Sequence, residues 1–88
     1  MTPETATADL PVAIRTRNRA IELVDALTQG YNHSIDALGY APAHLRSEIE
    51  LRRDQFETAL SKAMPELNIA QRWVMECEKV IANVPIKT

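Results

Sequence analysis

Eighty-eight residues weighing 9.9 kDa leave room for one small domain. Hydrophobic residues are 45% and charged residues 25%, the balance of a globular rather than a disordered chain. Ten basic against twelve acidic side chains give a net charge of −2, which argues against nucleic acid or an anionic membrane as partner.

Two glycines and five prolines are too few for the turns of an all-β fold. Cys77 is the only cysteine, so no internal disulfide and no multi-thiolate metal site can form. A lone thiol fits a reducing compartment, and the expectation is a cytoplasmic protein. The run from Met1 to Asp9 lacks the basic and apolar regions of a signal peptide. No stretch approaches the ~20 apolar residues that span a bilayer. A domain of this size buries only about 60–65% of its unfolded surface, and oligomerisation is an ordinary remedy when disulfides and metals are missing.

The prolines at 3, 11, 42, 65 and 85 punctuate the chain. Proline is tolerated in a first helical turn and not inside a helix, so Pro11, Pro42 and Pro65 read as helix starts and Pro85 as a stop. Residues 1–10 then form a flexible N-terminal arm, and residues 11–88 a single helical domain.

The first helix is expected from about 11 to 38, capped by Asp9, with Gly30 a place for a kink and Gly39 the stop. Leu23, Leu27, Val24, Tyr31 and Ile35 fill one half of its wheel, and Arg15, Arg19, Glu22 and Gln29 the other. The second, from about 43 to 63, carries a stripe of Leu45, Ile49, Phe56 and Leu60. The third, from about 66 to 84, is the most apolar, with Leu67, Trp73, Val74, Cys77 and Ile81 inside an arc of roughly 160°. The fold expected is all-α: a three-helix antiparallel arrangement of a long, a medium and a short helix, assembled as an oligomeric helical bundle. The long helix overhangs the others by about two turns, and a second copy is the simplest cover for its Tyr31-to-Leu38 end. Interface positions on this reading are Trp73, Ile35, Leu38, Val74 and Ile81.

Two arginines fall on apolar stripes: Arg17 between Ile21 and Val24, and Arg52 between Leu45 and Ala59. In a hairpin turning near residues 39–42, Arg52 lies opposite Thr28 and Arg17 near Met64, about 18 Å apart along the axis. With Thr28 and Tyr31 they form the candidate ligand-binding set. Inward guanidinium groups without protein partners bind a carboxylate or phosphate bidentately, so the ligand would be a small anion or nucleotide. The plainer reading is that the stems pack on apolar surface while the heads reach water or a partner subunit's acid.

Arg15, Arg17 and Arg19 spread over about 200° of wheel and make no single patch. His44 and Glu48 stand four apart, but no Glu-x-x-His unit accompanies them, so no metal is expected. Cys77 shares the most apolar face with Trp73, where a thiol stays protonated and inert. No phosphate loop and no Ser–His–acid pattern is present, and neither a cofactor nor a catalytic residue is expected. Trp73 reads as core or as an interface anchor.

The stretch Leu45-Arg46-Ser47-Glu48-Ile49-Glu50, continuing to Leu60-Ser61-Lys62, resembles the opening helix of the small all-helical chorismate mutases over about twenty residues. The resemblance implies an intertwined dimer whose inward arginines hold a dicarboxylate. The chain departs from that family in the place of its long helix and in Pro65, which falls where the family's helix continues. The expected function is therefore a non-enzymatic interaction or regulatory protein acting by oligomerisation and partner binding. A sponge-like inhibitor that binds a small anion or nucleotide is the alternative, and a small enzyme of chorismate-mutase type a further one.

Overall fold

A computed structural model describes residues 1–84 and shows an all-α chain with no strand among them. There are two long helices, not three. Helix α1 spans Pro3–Tyr40 and helix α2 spans Arg46–Ala82, joined through a single turn of 3-10 helix at Ala43–Leu45. They fold back on each other as an antiparallel hairpin of 72 × 17 × 14 Å. Its radius of gyration is 19.7 Å, against about 12 Å for a compact globule of this length. The expected three-helix antiparallel arrangement is thus replaced by an extended two-helix hairpin. Pro85, expected to stop the last helix, lies outside the described residues.

The difference arises at the prolines. Pro11 stands inside α1 and Pro65 inside α2, where each removes a backbone hydrogen bond at a cost of about 3 kcal/mol. Both rings lie on exposed faces, and so do Thr7 and Ser61, whose carbonyls lose their donors and can turn to water. The apolar seam runs on in phase through both sites, past Ala6, Leu10 and Ala13 in one helix and Leu60, Ala63 and Leu67 in the other. Burial along that seam offsets the two lost bonds.

Helix α1 begins eight residues before Pro11. Thr2 is its N-cap in place of Asp9, the Thr2 hydroxyl accepting from the Thr5 amide at 3.2 Å. Pro3 suits the first turn, where its missing N–H is not needed, and Glu4 faces the positive end of the helix dipole. Residues 3–10 are accordingly helical. At the other end α1 passes through both Gly30 and Gly39 and stops at Tyr40, because Ala41 precedes Pro42 and is held extended (φ −71°, ψ 138°). Pro42 ends one helix and opens the turn to the next, its carbonyl accepting from the Leu45 amide at 3.0 Å.

The helices meet along steps alternating between three and four residues, the spacing of a coiled coil. In α1, Leu10, Arg17, Val24, Tyr31 and Leu38 alternate with Ala6, Ala13, Ala20, Leu27 and Ser34. In α2, Arg53, Leu60, Leu67, Val74 and Ile81 alternate with Ile49, Phe56, Ala63, Ala70 and Cys77. Every one of these is buried or half-buried. The fully enclosed apolar residues are small: Ala6, Ala13, Ala63, Ala70, Val74 and Cys77. Small side chains let the helices approach closely, and they also leave the core thin.

Candidate functional site

The register is fixed by Gly30, which stands against Phe56, and by Asp9, whose charge reaches Cys77. A β-carbon on residue 30 would lie 2.9 Å from Phe56 Cδ1 and closer still to Cε1 and Cζ, so only glycine admits the ring here. Beside the ring the hairpin opens into a groove of about 700 Å³. Gly30, Ser34 and Ala37 form one wall and Ala59, Phe56 and Ile49 the other, with His33, Arg52 and Gln55 at the rim. The groove exists because four of these side chains are small. Ser34 is only 8% exposed, and its hydroxyl donates to the Gly30 carbonyl at 2.9 Å, so it offers little polarity to an occupant.

The groove lies on one flank of the seam. Arg52, Ala59, Glu66 and Trp73 recur every seven residues and line that flank of α2; Leu23, Gly30 and Ala37 do the same on α1. The opposite flank carries Ile14, Ile21, Thr28 and Ile35 against Glu50, Glu57 and Met64.

The four residues expected to share a ligand do not converge. Arg17 occupies the seam across from Ala70, half-buried, with Nε and Nη2 donating to Asn18 Oδ1 at 3.4 and 3.3 Å. Its stem packs and its head turns outward. Arg52 stands at the groove rim across from Ser34, so the two arginines are about 26 Å apart along the axis at 1.5 Å per residue. Thr28 lies on the other flank, its hydroxyl donating to the Val24 carbonyl at 2.7 Å, and Tyr31 is in the seam. The expected register was short by about six residues because α1 runs to Tyr40 and the turn is centred near residue 43.

Of the expected interface positions, Val74 is buried and Leu38 and Ile81 half-buried in the seam between the chain's own helices. Ile35 is 45% exposed on the flank away from the groove. Trp73 is half-buried on the groove flank. Leu23, read as an inner residue, is 47% exposed there.

Arg53 is the residue that sequence reasoning passed over in favour of its neighbour. It sits in the seam, paired with Asp54 at 3.0 Å. The hydrogen bond to Asp54 and then its charge hold the Arg53 guanidinium protonated more firmly than usual, with Glu50 and Tyr31 adding to them. The alternating three-four step through Ile49, Arg53, Phe56 and Leu60 was the signal that would have found it. Burial pushes the Cys77 thiol up, with Asp9, Glu76 and Glu78 adding to the shift, so the group stays protonated and unreactive. Its sulfur lies 3.9 Å from that of Met1.

Among the described residues no group of three or more His, Cys, Asp or Glu gathers to hold a metal ion, and no helix is long and apolar enough to cross a membrane. The groove itself offers an apolar floor with a cationic and amide rim, which is a surface for enclosing a side chain. No family model matches the chain, and neither a curated protein nor a solved structure matches it.

Proposed function

We propose that this protein is a non-enzymatic interaction module whose output is binding through its helical flanks. The observation that carries this is area. The chain exposes 6693 Å², whereas a globular monomer of 9.9 kDa exposes about 5,200 Å². The surplus of about 1,500 Å² is of the size that one partner contributes to an obligate protein interface. Leu23, Leu51, Ile69 and Met75 are among the large apolar side chains it leaves bare.

Light scattering on the purified protein, run beside binding of a dye that fluoresces on apolar surface, tests the reading. The expected result is an assembly above 9.9 kDa, or a monomer that binds the dye strongly. A monomer that leaves the dye dark is the result that removes this role.

A further inference from the structure

Resting on the binding role above, we infer that the groove flank is occupied by a second copy of this chain, docked antiparallel about a two-fold axis that crosses this flank beside Leu23, level with residue 64 of α2, with Trp73 of each copy seated over the other's groove. The flank is self-complementary about that axis. Gln55, at the centre of the groove rim, and Trp73 stand nine residues either side of residue 64 on α2. A two-fold there sets each indole above the cavity that Gly30, Ala59 and Phe56 leave open. An isologous pair needs a knob and a hole equidistant from its axis, and this flank has both.

Charge follows the same symmetry. Arg52 and Glu76 lie twelve residues either side of residue 64, about 18 Å along the helix in each direction. Lys62 and Glu66 lie two residues either side. The rotation therefore sets Arg52 level with the partner copy's acidic position and Lys62 likewise, on diagonally opposed helices, so that opposite signs share a level at both and attract across the bundle. Leu23, on the groove flank and level with residue 64, lies beside the axis and therefore close to its own copy. The axis lies close to the midpoint of α1, so nearly the whole flank overlaps, and the surplus surface of about 1,500 Å² is what an obligate pair of this kind covers. The outcome is a four-helix bundle made of two hairpins. The opposite flank has no such match, since Glu50, Glu57 and Glu78 give it one sign of charge.

Sedimentation with far-UV circular dichroism on the full chain tests this. Trp73→Ala and the groove-filling Ala59→Arg are expected to convert a dimer to a helical monomer, and Glu57→Arg on the other flank to leave the dimer intact. Arg52→Glu and Glu76→Arg are each expected to weaken dimerisation about tenfold, and the double reversal to restore it. Leu23→Cys in a Cys77→Ala background is expected to cross-link to itself with a short bismaleimide. An assembly indifferent to Trp73→Ala, Ala59→Arg and the charge reversals overturns the pairing and leaves the binding role standing. A wild-type monomer that binds the apolar dye also overturns it and assigns the flank to a different protein. A dark monomer overturns both.

Discussion

Phe56 lays its ring where the β-carbon of residue 30 would be, so a single missing methyl sets both the register of the hairpin and the mouth of its groove. Gly30 is half-way along no turn and has no unusual backbone angle; it sits inside a continuous helix. Its role is close approach. Glycine within a helix costs about 1 kcal/mol relative to alanine, and the packing of an aromatic ring against bare backbone offsets that.

Gly30→Ala is therefore expected to destabilise the hairpin by about 1 kcal/mol, the overpacking of 1–3 kcal/mol outweighing the gain in helix propensity. In a Phe56→Leu background the sign reverses, and Gly30→Ala stabilises by about 1 kcal/mol. Urea unfolding of the four proteins in the cycle measures both values. Equal effects of Gly30→Ala in the two backgrounds would show that the ring does not rest on residue 30.

Helical character was plain in the sequence, because apolar residues recur at helical spacing from Leu10 to Ile81. The number of helices was not. Reading each proline as a boundary treats a local cost of about 3 kcal/mol as decisive, while the seam gains burial at some ten positions on each helix. Had the phase of Leu60, Ala63, Leu67 and Ala70 been followed across Pro65, a single helix would have emerged. The same phase separates Arg53, inside the seam, from Arg52 on the flank. A wheel drawn at 100° per residue drifts by about 20° per heptad against a seven-residue repeat, and so the row of Leu45, Arg52 and Ala59 reads as the inner face although it is a flank. The groove was beyond such reasoning, since it depends on where Gly30 and Phe56 meet, and that follows from the turn.

Removing Pro65 checks the continuous α2 directly. Pro65→Ala restores an amide donor toward the Ser61 carbonyl and removes ring crowding, worth up to about 3 kcal/mol, less about 1 kcal/mol for the looser unfolded chain. A net stabilisation of about 2 kcal/mol is expected, with the denaturation midpoint raised and its slope unchanged. No change in the midpoint would mean that the chain already bends out of the helix there.

Cys77 gives a pH dependence whose direction follows from its raised pKa. Folding favours the protonated thiol, so its contribution is fully present below the ordinary thiol pKa of about 8.5 and fades as pH climbs through the higher folded value. The stability of wild type relative to Cys77→Ala is expected to be constant from pH 6 to about 8 and to fall toward pH 10. Taking the difference removes the titration of tyrosines and lysines. A thiol reagent at neutral pH should label Cys77 only at the rate at which the hairpin opens, and labelling as fast as in urea would place the thiol at the surface.

Arg17 in the seam decides between packing and recognition. If its stem packs and its head only reaches Asn18, Arg17→Leu replaces a long polar side chain by one that fills the space across from Ala70. The expected gain is about 1 kcal/mol, read as a rise of several degrees in Tm. A residue held ready for an anion behaves otherwise: phosphate or citrate would raise the Tm of wild type, and Arg17→Leu would abolish that rise. The distance of about 26 Å to Arg52 argues that citrate shifts neither protein, because no second guanidinium stands within reach to share its carboxylates. A citrate-dependent rise confined to wild type would return Arg17 to the binding site that the sequence first suggested.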